Sequence, residues 1–181
     1  NMLFETYSLG KIKNKIANTE PVFRNSDLID INIRSVKSGD INNSHEFTNG
    51  LSSYEYCNLS RFAGLSKNLD LISFSSLYQS SAISSLISEG IWYAIDGMNN
   101  VIDENIDLNS ENFIVYNVTV NNYDLKFVKS LITNRWWVSL ENTNLVQIEK
   151  PYIPCVEDDY LLSKNSILSD RILSRIKNKI S

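Results

Sequence analysis

The sequence predicts an α/β fold whose sheet is mainly parallel. In residues 27–34, Ile29, Ile31 and Ile33 alternate with polar residues, which is the period-2 pattern of a strand with one apolar face. A helical segment follows, and then a second short apolar strand at residues 69–74. A strand, a helix and a strand in succession indicate a parallel crossover.

The helices are predicted from apolar spacing and capping residues. Residues 3–17 show rough helical spacing, which predicts a first helix that ends before Pro21. Ser52 and Glu55 form a Ser-x-x-Glu capping box, so a helix is expected to run from there to about Ala63, with Gly64 as its C-cap. A strongly amphipathic helix follows at residues 82–97, and its wide apolar stripe is expected to lie on the sheet.

The second half of the chain is predicted to add strands and a final helix. A polar, acidic linker covers residues 101–112. The β-rich segments 113–120, 125–130 and 135–140 indicate two or three further strands, and residues 158–180 indicate a helix. We find no internal repeat in the sequence and expect one domain over residues 1–181.

Composition excludes several classes of protein. The 181 residues are 43% hydrophobic and 21% charged, which suits one globular domain with a substantial core. A net charge of -4 gives no attraction for phosphate backbones, so nucleic acid is not expected as a partner. No apolar run approaches the roughly 20 residues needed to cross a bilayer, so no membrane association is expected and a cytoplasmic location is predicted. Cys57 and Cys155 form no metal-binding or CxxC pattern and are expected to be buried, inert thiols.

Several segments, taken in order, resemble the arginase/agmatinase/formimidoylglutamase (ureohydrolase) family, and in particular its formimidoylglutamase-like branch common in Bacteroidetes. The matching segments are residues 9–11, 20–21, 24–28, 49–51 with Glu55, 57–66, 91–97, 134–137, and 154–160. The resemblance implies a three-layer α/β/α fold with a parallel sheet and a di-manganese site at the carboxyl ends of the strands. The GGxH and DxHxD motifs of the family have no counterpart here, so the chain resembles only the carboxy-terminal part, and we expect a fragment or one half of a split gene.

The resemblance also places the degenerate positions of the metal site. The family's SxDxD-type strand end falls on residues 30–34, which puts Asn32 and Arg34 where two carboxylate ligands stand, and the family's later substrate-contacting glutamate aligns with Ser76. Asn32 offers a neutral carbonyl and Arg34 a permanent positive charge, so metal affinity is expected to collapse. A register shifted by two residues would instead place Asp30 and Asn32 on the ligand positions and keep one carboxylate, and strand alternation allows either register.

The remaining polar and aromatic candidates are given structural interpretations. His45, the only histidine, lies in a polar loop and is expected to be solvated. Trp136 and Trp137 could form a stacking platform, but an aromatic pair in a β segment of an acidic chain is more often half core and half surface. The basic residues of the last helix favour a solvated helix end.

The leading hypothesis is a ureohydrolase-like domain without catalytic activity that acts as a structural or binding subunit. No cofactor is expected in that case, and association with itself or with a chain supplying the amino-terminal half is expected because a truncated parallel sheet leaves an open edge. The alternative is the carboxy-terminal half of a split hydrolase of a linear amidine or guanidine, with Mn²⁺ as its cofactor.

Overall fold

The computed structural model describes residues 5–42, 47–140 and 152–177, and these residues form two compact units. The first, which we call the parallel unit, covers Tyr7–Asp103. The second, the antiparallel unit, takes in the described residues of Glu104–Ser181 together with residues 5 and 6. The expectation of a single domain over residues 1–181 stays a prediction.

The parallel unit contains a two-stranded parallel sheet and two long helices. Strand β1 (Leu28–Asn32) pairs with β2 (Leu71–Ser75), and α4 (Ser53–Gly64) and α5 (Ser81–Asn99) follow β1 and β2 respectively in the chain. Three short helices precede α4: α1 (Leu9–Asn14), α2 (Glu20–Phe23) and α3 (Ser38–Ile41). The core is formed by the apolar side of β1, including Ile29 and Ile31, with residues of both long helices such as Tyr56.

The start of α4 is fixed by the predicted capping box. The Ser52 hydroxyl accepts from the Glu55 backbone N–H at 3.2 Å, and the Glu55 carboxylate accepts from the Ser52 backbone N–H at 2.6 Å. Asp40 supports the same helix end, because its Oδ2 accepts from the Ser53 backbone N–H at 2.8 Å. Together these groups satisfy amides that have no partner inside the helix.

Helices α4 and α5 cross at two glycines that allow their backbones to touch. A Cβ on Gly64 would lie 2.0 Å from the Ala94 carbonyl oxygen, and a Cβ on Gly97 would lie 2.3 Å from that of Arg61. Both distances are far below van der Waals contact. The crossing therefore requires glycine at both positions, and Gly64 lies inside α4 instead of capping it.

The antiparallel unit contains a four-stranded antiparallel sheet and two helices. The strands β3 (Phe113–Val120), β4 (Tyr123–Ser130), β5 (Trp136–Leu140) and β6 (Ile153–Cys155) are neighbours in chain order. Helices α6 (Glu157–Lys164) and α7 (Asp170–Lys177) follow. Val120, Leu125, Phe127 and Ile172 are among the residues that form its core.

The prediction of a three-layer α/β/α fold with a mainly parallel sheet is wrong. Among the described residues, β1 and β2 are the only two strands that pair in parallel, apart from one isolated parallel bridge between Val36 and Leu51. The other four strands form a separate antiparallel sheet. The physical reason is the length of the connection between β3 and β4. Asn121 and Asn122 alone join them, whereas a parallel pair needs a crossover of a dozen or more residues.

The two ends of the described chain also differ from the sequence prediction. Instead of one helix before Pro21, the chain forms α1, a short 3-10 turn at Ile16–Thr19, and α2, in which Pro21 occupies the first turn. The final helix is broken into α6 and α7. Ser166 lies between them with a φ of 61°, which no helix continues.

Candidate functional site

The residues that the resemblance assigns to the metal site, Asp30, Asn32, Arg34 and Ser76, lie toward the carboxyl end of the small parallel sheet. In β1, Ile29 and Ile31 are buried while Leu28, Asp30 and Asn32 are exposed, so the predicted alternation is present. The pairing register places Asp30 beside Ser73 and Asn32 beside Ser75. The carboxyl ends of parallel strands lie at the same end of the sheet, which we call its carboxyl-terminal edge. The polar side chains of both strands therefore lie together near this edge.

Asp30 is held by hydroxyl groups on the neighbouring strand. Ser73 Oγ donates to its Oδ1 at 2.5 Å, and Ser75 Oγ donates to its Oδ2 at 2.8 Å. These two bonds, that from Ser73 first, hold the pKa of the Asp30 carboxyl below its usual value. The carboxylate is thus ionised and bridges two residues of β2.

Asn32 ends β1 and begins a single 3-10 turn, Ile33–Ser35. Its Oδ1 accepts from the Arg34 backbone N–H at 2.9 Å, and its backbone oxygen accepts from the Ser35 hydroxyl at 2.8 Å. The side chain that the resemblance assigns to a ligand position therefore caps a turn. Arg34 is exposed in that turn.

Ser76 follows β2 directly and is exposed. Its φ of 60° is in the left-handed region, which turns the chain away from the strand and toward α5. Because Ser75 pairs with Asn32, Ser76 lies at the same edge of the sheet as the end of β1. The structure thus brings Asp30, Asn32 and Ser76 to one edge, with Arg34 in the turn that follows.

Ser73 and Ser75 are the members of this cluster that the sequence interpretation missed. The signal was present, because both alternate with Ile72 and Phe74 as Asp30 alternates with Ile29 and Ile31. Two strands with matching apolar and polar positions, paired in parallel, place their polar residues on the same face. The cluster offers one carboxylate, one amide and several hydroxyls.

Of these groups, the Asp30 carboxylate is the one with the charge that a hard divalent cation prefers. Across residues 5–42, 47–140 and 152–177, no three His, Cys, Asp or Glu side chains converge as a metal site would require. His45 lies outside the described residues.

Within residues 5–42, 47–140 and 152–177, no helix combines the length and the apolar character needed to cross a bilayer.

Asp40, whose carboxylate lies beside the start of α4, has a structural role. Asp40 bonds the Ser53 backbone N–H and lies 3.2 Å from Lys37 Nζ. Burial by itself raises the pKa of Asp40, but the bonds from Ser53 and Lys37 outweigh it and leave the pKa lowered. Asp40 is therefore an ionised cap for α4.

Trp136 and Trp137 are buried, so they do not form an exposed stacking platform. Trp136 stacks on Tyr116 and Tyr160, with ring centroids at 5.5 and 5.2 Å. Trp137 meets Phe113 edge to face at 6.3 Å. Both tryptophans thus serve the packing of the antiparallel unit.

The two cysteines are free and buried. Burial, with a smaller contribution from Glu89, raises the pKa of the Cys57 thiol to about 11. Such a thiol stays protonated at neutral pH and reacts poorly as a nucleophile.

Comparison of the whole chain with protein-family models, curated proteins and solved structures gave no match in any of the three.

Proposed function

We propose that the chain is a catalytically inactive structural or binding subunit, related to the arginase family, in which a di-manganese site has been lost. One observation carries the proposal: the polar groups at the carboxyl end of β1 are engaged in local hydrogen bonds. Both carboxylate oxygens of Asp30 accept serine hydroxyls, and the Asn32 side-chain oxygen accepts the Arg34 N–H. Each bond stabilises the strand end and its turn.

The charge at this edge supports the same proposal. A pair of divalent cations needs several anionic ligands, whereas this edge combines the single negative charge of Asp30 with the positive charge of Arg34 two residues beyond Asn32. An arginine is always protonated and would repel the cations. The kinship with the arginase family rests on the matched segments of the parallel unit, since the antiparallel sheet is not part of the expected ureohydrolase fold.

The open sheet supports a role in association. Among the described residues, β1 and β2 have only each other as neighbours in the sheet, so no further strand pairs with the outer side of either one. Leu28 and Leu71 are paired across the two strands and are 65% and 51% exposed. Parallel sheets are normally covered on both faces, so the proposed partner is a second copy or a chain that supplies further strands.

Calorimetric titration of Mn²⁺ tests the loss of the metal site. We expect no saturable binding by the natural chain, and no release of urea or formamide from arginine, agmatine or formimidoylglutamate in the presence of Mn²⁺. The matched variant Asn32→Asp/Arg34→Asp restores two carboxylates and is expected to bind Mn²⁺ measurably more tightly. Saturable Mn²⁺ binding by the natural chain, with product release that Asp30→Asn abolishes, would support the split-hydrolase alternative instead.

Light scattering coupled to size exclusion tests the association role. The double variant Leu28→Lys/Leu71→Lys places like charges on the open face and is expected to reduce binding of the partner chain or second copy. Val22→Lys, at a position 41% exposed outside the sheet, is the matched control and is expected to behave as the natural chain. Equal association by the natural chain and the double variant would remove this face from the proposal.

A further inference from the structure

The first strand of the antiparallel sheet is an edge strand without the usual protection. Within residues 5–42, 47–140 and 152–177, strand β3 pairs with β4 on one side and is the end strand in the sheet order. Its eight residues, FIVYNVTV, include no charged residue, no proline and no glycine. Native edge strands of this length usually carry a lysine, a proline or a bulge that prevents pairing with another chain.

The opposite edge of the same sheet shows such protection. Strand β6 has three residues, and its middle residue is Pro154, which has no backbone N–H to offer. The two edges therefore differ in the feature that controls pairing between chains. The β6 edge is short and carries a proline, whereas the β3 edge is long and has no further strand beside it in the part of the chain that the structure describes.

The hairpin register fixes which backbone groups of β3 face outward. Val120 and Tyr123 are directly opposite and enclose a two-residue turn, Asn121–Asn122, with φ values of 48° and 67°. In such a hairpin the enclosing residues form a hydrogen-bonded pair, so the even-numbered residues of β3 bond to β4. The odd-numbered residues Val115, Asn117 and Thr119 then direct their N–H and C=O groups to the open edge.

An independent hydrogen bond agrees with this assignment. The Phe113 N–H donates to the Ser110 oxygen at 3.2 Å, as expected of an odd-numbered residue that does not bond to β4. On the neighbouring even-numbered position, the Asn112 oxygen accepts from the Leu131 N–H at 2.8 Å, which continues the ladder with β4. The outward set is therefore defined at both ends of the strand.

We propose that β3 pairs antiparallel with β3 of a second copy of this chain, about a twofold axis at Tyr116. In this register Val115 lies opposite Asn117 of the second copy, and Phe113 lies opposite Thr119. About six backbone hydrogen bonds form, and the two sheets become one continuous sheet. No other chain is needed to complete the pairing, because the strand is complementary to itself.

Side chains and charge favour this occupant. Ile114, which is 37% exposed, lies opposite Val118 of the second copy, so an aliphatic side chain meets another on the same face of the sheet. Each copy carries a net charge of -4, so two copies repel each other overall. The uncharged β3 edge is a place where they meet without opposing like charges.

Sedimentation analysis of the full chain tests the proposal. We expect a dimer whose dissociation constant rises at least about tenfold in Val115→Lys, which sets charges against the edge, and also in Asn117→Pro, which removes an outward N–H. Ile132→Lys, at an exposed position in the turn after β4, is the matched control and should dissociate as the natural chain does. A natural chain that stays monomeric at about 100 µM, or that forms only polydisperse aggregates, overturns the proposal, as does a dimer unaffected by Val115→Lys.

Cysteine crosslinking tests the register separately. A Val115→Cys chain mixed with an Asn117→Cys chain is expected to form the mixed disulfide, because directly opposite Cα atoms lie about 5.5 Å apart. Two copies of the same variant place these atoms roughly 8 Å apart, beyond the range that a disulfide spans. Equal crosslinking of like with like overturns the assigned axis. Val115 and Asn117 lie in β3, outside β1 and β2. The crosslinking result therefore does not depend on whether the proposed loss of a metal site is correct.

Discussion

Arg171 Nη1 donates to Asp159 Oδ2 at 2.6 Å, and the two side chains are only 5% and 8% exposed. The pair joins α6 to α7 within the antiparallel unit. Asp159 also accepts from the Val156 backbone N–H at 2.9 Å, and Arg171 Nε donates to Glu5 at 2.8 Å. One buried carboxylate thus both caps α6 and neutralises an arginine.

Removing this carboxylate is expected to be costly. Asp159→Ala removes a buried carboxylate from a guanidinium that is 5% exposed, and we expect a loss of about 3–5 kcal/mol in the free energy of unfolding. Lys67→Ala, which breaks the exposed pair with Asp103, should change it by less than about 1 kcal/mol. Urea denaturation of both variants measures the difference, and equal effects would contradict the interpretation of Arg171 as a buried charge.

The pKa of Asp30 is expected to depend on the two serines of β2. Ser73→Ala removes the larger cause of its lowering and should raise the pKa of Asp30 toward 3.8, and Ser75→Ala should raise it less. A carboxyl whose folded-state pKa is depressed stabilises the fold above its unfolded value, and that contribution is lost as the pH falls through the folded value. Carbon-detected NMR titration measures each pKa. A Ser73→Ala titration identical to that of the natural chain would show that this hydrogen bond does not form in solution.

Gly97, at the crossing of α4 and α5, and Gly10, in α1, are expected to respond differently to replacement by alanine. Gly97→Ala would force a Cβ into the Arg61 carbonyl and separate α4 from α5, which should lower the free energy of unfolding by about 3 kcal/mol. Gly10→Ala, in α1, meets nothing within 4 Å and should be neutral or stabilising by less than about 1 kcal/mol. Thermal denaturation of the two variants compares them directly. A tolerated Gly97→Ala would mean that the helices cross elsewhere.

The protein is expected to become more stable when the hydroxyl group of Tyr56 is removed. The side chain is fully buried, and its Oη has no hydrogen-bond partner among the residues that the structure describes. Tyr56→Phe should therefore stabilise the protein by about 1 kcal/mol, while Tyr56→Leu should destabilise it because the ring packs against Phe74. A destabilised Phe variant would indicate that the hydroxyl has a partner in solution, such as a buried water.

The pH dependence of the free energy of unfolding, compared between the natural chain and Tyr56→Phe, adds a second measurement. Burial raises the pKa of Tyr56 above its usual value of 10.0. A group with a raised folded-state pKa contributes stability below its unfolded value and loses it as the pH rises further. The advantage of Tyr56→Phe over the natural chain should therefore grow above about pH 10, as unfolding at a series of alkaline pH values would show.

Local patterns predicted most of the elements. The alternation around Ile29 and Ile31 marked β1, the Ser52 and Glu55 capping box marked α4, and residues 113–120 were predicted as the strand that is now β3. Each pattern reflects chemistry within a few residues of the chain. Strand β6 was missed, because three residues that include Pro154 carry little strand signal.

The partition of strands into two sheets was not predicted, because strand direction depends on connections and not on strand composition. The informative signal was the Asn121–Asn122 pair, since asparagine tolerates positive φ and two such residues suit a tight hairpin turn. The resemblance to a parallel fold was instead extended over both halves of the chain. At the candidate site, the common face of Asp30 and Asn32 could be predicted, but their serine partners depended on which strand lay beside β1.

The bond between Glu5 and Arg171 joins residues that are 166 positions apart. A ribosome releases all of the parallel unit, Tyr7–Asp103, before it has made Arg171. We therefore expect vectorial synthesis to impose an order in which the parallel unit forms first and Glu5 waits for its partner until α7 emerges. Closing so long a loop is slow, so this bond is expected to be among the last native contacts to form.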